Sequence, residues 1–264
     1  MLTPQQISYF ETFGFLKMPG VFSSQEVNLI RKASIEALGK LEDNSEINPH
    51  KSQFSMPFFE LDPQLTNLLD DDRIHQIPES LLGSDFFLDQ TEGHQRVGDT
   101  PWHGSTNFSD GIRFIKVAMY LDTLVRSTGC LRVIPGSHRE GKPDLFRNLR
   151  LANKDPKSSP FGLYPSDIPC VALESNPGDV LVFTEKVIHG AFGGNGRRLQ
   201  ICASFFANPT TEDQINEIIS EYKKTKYSFR PSESYINSEN PRIRRMVSKL
   251  VELGFEASKL KALG

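Results

Sequence analysis

Ile112-Arg113-Phe114-Ile115-Lys116-Val117-Ala118-Met119-Tyr120-Leu121 is the stretch that decides the fold: it alternates well enough for a half-buried strand. A period of two sends successive side chains to opposite faces, so one face of such a run meets a core. Shorter β runs follow it. Leu131 to Ile134 is closed by the turn signal Pro135-Gly136-Ser137, and Val171 to Leu173, Gly178 to Phe183 and Leu199 to Phe206 are each bounded by Gly, Pro or Asn. Strands at this spacing, with turns between them, predict an antiparallel sandwich or barrel.

Working outward, both ends read as helix. Thr3-Pro4-Gln5-Gln6 offers a hydroxyl cap, Pro at the first helical position and Gln three residues after the cap, with Ile7, Phe10 and Phe13 on one face. Ser23-Ser24-Gln25-Glu26 repeats the cap ahead of Val27, Ile30, Ala33 and Ala37, and this helix should stop near Gly39. Phe15 to Met18 reads as a short strand between them. Residues 41–100 signal weakly: a short helix near Leu65 to Leu69 and a strand at Phe86-Phe87-Leu88. Residues 140–168 form a long irregular insertion, the length expected of a lid. Helices should return at 211–223 and 242–259, where Ile243, Met246, Leu250 and Leu253 mark one face. The expectation is a single domain over 1–264: a helical N-terminus (1–40), a mainly β core (about 86–207) and a helical C-terminus (211–260).

Composition narrows the function. The 264 residues carry a net charge of −3, with 38% hydrophobic and 24% charged side chains, which excludes long disorder and leaves no basic footprint for nucleic acid. No apolar run approaches the ~20 residues that cross a bilayer, so no membrane association is expected. The N-terminus lacks the basic and apolar regions of a signal peptide. The three cysteines, Cys130, Cys170 and Cys202, are an odd number without a Cys-x-x-Cys pair, which argues against a disulfide scaffold or zinc finger and for a reducing, cytoplasmic setting.

Of six histidines, His50 and His75 sit in polar, weakly patterned stretches and read as structural, and His138 reads as tying the Pro135-Gly136-Ser137 turn. His94 has polar neighbours and stays ambiguous. His103 follows Pro101-Trp102 at the entrance to the β region, and His189 lies just beyond the strand ending at Phe183. Two histidines from separate strands of a barrel can converge at its mouth around a metal. Their spacing alone leaves open that they are two unrelated buried histidines.

A resemblance adds to this reading. It runs through Leu2-Thr3-Pro4-Gln5-Gln6, Phe10-Glu11-Thr12-Phe13-Gly14-Phe15, Pro19-Gly20-Val21-Phe22, Pro101-Trp102-His103, Tyr120-Leu121-Asp122, Gly129 to His138, Gly178-Asp179-Val180, His189-Gly190 and Arg197-Arg198. In that order the chain resembles the phytanoyl-CoA dioxygenase family of iron(II)/2-oxoglutarate-dependent oxygenases. The resemblance implies a double-stranded β-helix, that is, a jelly-roll, cupin-like core. It implies that His103 and His189 bind iron(II), and that Arg198, with Arg197 as the fallback, clamps the distal carboxylate of 2-oxoglutarate. A guanidinium fork suits a carboxylate as an ammonium does not. The implied activity is oxidation of an aliphatic C–H bond of a small-molecule substrate with O2, with 140–168 as a lid.

One position departs from that family. Its usual motif is His-x-Asp, which completes a two-histidine, one-carboxylate face on iron. Here the sequence is His103-Gly104-Ser105. Ser105 is neutral and a poor iron(II) ligand, so three outcomes are open. Hydroxylation would proceed with water or a nearby acid, Asp99 or Asp110, as third ligand. Halogenation would place chloride in the carboxylate's position, as in related iron halogenases with Gly or Ala there. A degenerate site would leave a small-molecule-binding relative. Gln95, Trp102 and Thr184 are expected near the mouth and are at least as well explained by packing.

Overall fold

Thr3 caps the first helix, α1 (Pro4–Phe13), as its sequence predicts: the hydroxyl accepts from the Gln6 amide, and the Gln6 side chain accepts from the Thr3 amide. Gly14 ends it with φ +85°, a left-handed conformation that glycine adopts at no steric cost. β1 (Phe15–Met18) and α2 (Ser24–Lys40) follow, α2 burying Val27, Ile30, Ala33 and Ala37. The computed structural model describes residues 1–40, 51–105, 108–109, 111–139, 149, 161–194, 196–225 and 228–258.

Next come β2 (Gln53–Ser55), α3 (Asp72–Leu82), β3 (Phe86–Arg96), β4 (Thr100–His103), β5 (Phe114–Tyr120) and β6 (Leu131–Val133). β7 (Val171–Leu173), β8 (Val180–Phe183), β9 (His189–Ala191) and β10 (Arg198–Ala207) complete the strands, and α4 (Glu212–Lys224) and α5 (Pro241–Glu252) close the described chain. They form two antiparallel sheets, a six-stranded one in the order β1-β8-β5-β10-β3-β2 and a four-stranded one in the order β4-β9-β6-β7. This is the jelly-roll arrangement, in which chain-distant strands become neighbours.

Alternation along β10 divides the interior. Leu199, Ile201, Ala203 and Phe205 face the helices with Ile30, Ile77, Leu81 and Met246 in the largest apolar cluster. Cys202 points the other way, between the sheets, with Ala118, Tyr120, Leu131, Val133, Leu181 and Phe183. A third cluster packs Phe87, Phe114, Phe206 and Phe229 beneath α4, and a fourth covers the four-stranded sheet with Trp102, Ile188 and Phe192.

Three elements differ from the sequence reading. The short helix expected near Leu65 to Leu69 forms as one turn over Pro63–Thr66 and a 3-10 turn over Asn67–Leu69, but α3, which follows it, was not foreseen; Asp71 caps it, Ile74, Ile77 and Leu81 are buried, and Pro78 inside it masks the pattern. β3 runs to Arg96 rather than stopping at Leu88, because the residues beyond Leu88 are polar groups that face polar partners rather than a hydrophobic core. α5 ends at Glu252, not 259, since Gly254 turns left-handed with φ +74°. The insertion 140–168 lies mostly outside the described residues; within 161–168 a 3-10 turn over Pro165–Asp167 places the Pro165 carbonyl 2.7 Å from the Trp102 indole nitrogen, which donates to it. His50 and Asp110 also lie outside the described residues. No described helix is long and apolar enough to cross a membrane.

The turn into β8 is a point of close contact. Gly178 has φ +102°, its carbonyl accepts from the Phe22 amide at 3.1 Å, and a Cβ there would run into the Phe22 carbonyl oxygen. Replacing Gly178 by Ala combines left-handed strain with a backbone clash, and should cost about 2–3 kcal/mol. A thermal melt should show the midpoint falling by about 5–10 °C.

Candidate active site

β4 and β9 pair so that His103 stands directly opposite His189, with ring centroids 4.0 Å apart. Each imidazole is oriented by the same local device. The His103 Nδ1 lies 2.7 Å from the Pro101 carbonyl oxygen and the His189 Nδ1 lies 2.8 Å from that of Val187. A carbonyl only accepts, so each Nδ1 carries the hydrogen, and in a neutral ring Nε2 then keeps the lone pair that a metal uses. Gly104 belongs to this geometry: a Cβ would press on the Val187 and Lys186 carbonyls at 3.0 and 3.1 Å, so a glycine lets the two segments approach. His189 opens its own strand rather than trailing the previous one, and Phe183 packs its ring 4.9 Å away.

Ser105 follows, its amide donating to the Glu185 carbonyl at 2.6 Å. Asp99, a candidate third ligand, is committed elsewhere: its carboxylate accepts from the Gly193 amide at 2.7 Å and the Gly194 amide at 3.4 Å. Among the described residues, the set of three metal-type side chains whose ligand atoms lie within 4.8 Å of one another is Glu92, His94 and Cys202. His103 and His189 are not part of such a set of three.

That other set is an ionic network rather than a second metal site. Inward-facing Glu92 accepts from His94 Nε2 at 2.7 Å, from the Cys202 thiol at 3.4 Å and from the Lys116 ammonium at 2.9 Å. Lys116 also lies 3.6 Å from Glu185, which accepts from the Ser204 hydroxyl at 2.9 Å. Burial alone would raise the Glu92 carboxyl, but Lys116 and His94 together outweigh it and hold it well below the usual carboxylate range. Burial likewise opposes the Lys116 charge, and the Glu185 and Glu92 carboxylates overcome it, keeping the ammonium well above its ordinary value. Burial lowers His94, which fits a neutral ring donating through Nε2. Burial pushes the Cys202 thiol well up, so sulfur stays protonated. With its oxygens already accepting from the Lys116 ammonium, the Gln90 amide, the His94 ring and the Cys202 thiol, Glu92 has no lone pair left for a metal ion.

The remaining predicted residues separate. Arg198 is buried, its terminal nitrogens donating to the Gly129 carbonyl at 2.6 Å and to the Gly98 carbonyl. Arg197 is exposed. One cavity is lined by His103, His189, Glu92, Lys116, Tyr120 and Arg96, and Arg198 is not part of its wall. Arg96, Glu92, Lys116 and Glu185 went unnoticed in the sequence; the signal was the spacing of Glu92, His94 and Arg96 at every second residue. Trp102 packs on Phe192 beyond the sheet, Gln95 donates to the Lys51 carbonyl, and Thr184 accepts from the Lys186 amide at 3.4 Å. His138 ties its turn as expected, its ring packed against Gly14, and His75 is a buried ring 5.2 Å from Phe86.

A model of the phytanoyl-CoA dioxygenase family matches residues 10–199, well over half of the chain. The chain belongs to that family. Its members are iron(II)- and 2-oxoglutarate-dependent oxygenases, so this is an enzyme of the non-haem dioxygenase type. Among curated proteins, the ectoine dioxygenase of Sphingopyxis alaskensis is 24% identical over 217 residues, covering 73% of this chain and 71% of that protein. HygX from Streptomyces hygroscopicus, solved with nickel and 2-oxoglutarate bound, shares the fold with a TM-score of 0.62 at 22% identity, over 80% of this chain and 89% of its own. SnoK, a non-haem α-ketoglutarate-dependent carbocyclase from nogalamycin biosynthesis, gives 0.60 at 19% identity, over 78% and 85%.

In this family member the buried ion pairs can be probed apart from any ligand. Lys116→Met strips Glu92 and Glu185 of their ammonium, and should cost about 3–5 kcal/mol at pH 7. The Glu92 charge supports the wild-type fold above the ordinary carboxylate range, and that support is lost as pH falls through and below it. In the variant Glu92 protonates more readily, so the deficit should shrink towards pH 5. Urea unfolding at the two pH values checks the sign.

Proposed function

We propose that this enzyme hydroxylates an aliphatic C–H bond of a small-molecule substrate, with iron(II) held by His103 and His189 and 2-oxoglutarate as co-substrate. The observation that carries the reading is the facing imidazole pair, each ring set by a carbonyl to offer Nε2. The donor set fits the metal: imidazole suits iron, and two rings on one sheet edge leave positions for a chelating oxo acid and O2. When bound, iron(II) with the oxo acid supplies the oxidant that takes hydrogen from carbon. The chain's own part is to hold and to shield. The Pro101 and Val187 carbonyls fix the rings, Gly104 lets their segments close, and Phe183 and Leu131 line the cavity with apolar surface that limits water beside them.

A second reading, halogenation, is favoured by one specific feature. Ser105 stands where the family's carboxylate would be, and Asp99 is occupied by the Gly193 and Gly194 amides. A vacant anionic position beside the metal suits chloride. Ser105→Asp separates the two readings, because it would fill that position and remove any dependence on chloride.

Calorimetric titration of the protein with nickel(II), and succinate release with iron(II) and 2-oxoglutarate, form the test. His103→Ala and His189→Ala should each weaken metal binding by at least about 100-fold, the upper end of what losing a mere orienting partner costs. Both variants should stop succinate release. If they bind metal like the wild type, the histidine pair is structural. Products made from a substrate panel with chloride present and omitted should have the same mass; a chloride-dependent mass would favour halogenation. A folded wild type that neither binds metal nor releases succinate would leave a binding relative.

A further inference from the structure

We propose that a second cavity, where α1 and α3 meet the start of β5, binds a small anionic amphiphile: a short apolar body that ends in a carboxylate or a phosphate monoester. The cavity has a volume of about 360 Å³. It shares no lining residue with the cavity that contains His103 and His189, so the proposal stands apart from the iron and oxo-acid reading.

Its floor is apolar. Phe10 of α1, Leu81 of α3, and Ile112, Phe114 and Ile115 around the start of β5 are buried side chains that line it. Small-molecule pockets run from ~300 to ~1,000 Å³, so this volume suits a compact ligand. A hydrocarbon group placed there leaves water for apolar surface, which favours binding.

The rim is cationic, on a chain whose net charge is −3. Arg113, Arg139 and Lys186 stand there, against Glu11 as the one acid among the described lining residues. Part of this has a structural cause. α1 and α3 both end at the cavity, and the negative ends of helices attract cations. Arg113 donates to the Leu81 carbonyl, and Arg139 donates to the Glu11 carbonyl at 3.4 Å. These bonds leave most of the five N–H groups of each guanidinium for another acceptor. Glu11 reaches Arg113 at 3.5 Å with both side chains more than half exposed, a pair that water screens and that contributes little. Arg139 forms no ion pair with any described residue. Lys186 donates to the Ser109 carbonyl at 2.5 Å and stands 5.8 Å from the centre of the Phe114 ring, which keeps its charge over the apolar floor. Capping two helices needs two cations and no hollow. Three cations around an apolar hollow match a charged head on a hydrocarbon body.

The test uses the full chain without added metal, titrated calorimetrically with octanoate, with octyl phosphate and, as the uncharged control, with octanol. At least one of the two anions should bind with a Kd below about 1 mM and at least about tenfold more tightly than octanol; the tighter anion names the head group. Arg139→Gln should weaken that anion about tenfold, the loss of one charge-assisted contact at an exposed site, and change octanol less than about threefold. Glu11→Gln should strengthen the anion about threefold with the melting temperature unchanged, a gain that local unfolding does not imitate. His103→Ala should leave the anion's affinity within about threefold, so failure of the histidine site and failure of this one are separable. Octanol binding as tightly as both anions, no binding of any of the three, or anion binding indifferent to Arg139→Gln overturns the proposal. Anion binding lost in His103→Ala also overturns it, since the ligand would then lie in the other cavity.

Discussion

Two imidazoles, each bonded through Nδ1 to the carbonyl two residues behind it, face one another across a short antiparallel pair. Everything else in the site depends on that pairing. The bond back to the chain sets tautomer and ring plane, so the lone pairs are aimed before a metal arrives. It also demands a local backbone shape, and Gly104 supplies the close approach that lets 103–105 lie against 185–189. The jelly roll earns its place here: β4 and β9 are far apart in the chain and adjacent in the sheet.

How much of this was legible follows from which way each strand faces. β5, β6, β8 and β10 could be read because at least one face of each meets apolar neighbours, which leaves a hydrophobic trace in the sequence. Most of β3 could not. Beyond Leu88 its inward positions, Glu92, His94 and Arg96, are polar or charged, and they are matched by Lys116, Cys202 and Gln200 rather than by a core. A strand that supplies a site on one face and few hydrophobic groups on the other looks like a loop to any pattern of hydrophobicity. The meeting of His103 and His189 was likewise invisible to spacing, because register between distant strands is a property of the sheet. The family resemblance gave the expectation, and the pairing of β4 with β9 gives it a geometry.

Arg198 illustrates a different limit. Its place just before the strand expected from Leu199 could be read, and β10 in fact begins one residue earlier, at Arg198. What position does not reveal is where a long, forked side chain ends. Four rotatable bonds carry the guanidinium several ångströms from its Cα, and the two carbonyls next to glycine turns offer it buried partners that the cavity does not.

The charge balance of the interior bears on Ser105. Between the sheets, one ammonium is shared by two carboxylates, an arrangement that leans negative, while the guanidiniums of Arg96 and Arg198, with no ion-paired acid among the described residues, stand on adjacent strands. On the proposed reading of His103 and His189 as the metal's ligands, a serine rather than a carboxylate at position 105 takes a negative charge from the metal's surroundings without removing either arginine. The interior that results is better suited to an added anion than one with a complete two-histidine, one-carboxylate face would be. On that reading an oxo acid would contribute two such charges, and Ser105 would alter more than a ligand count: it would shift the electrostatic demand of the cavity from the protein to whatever the protein binds.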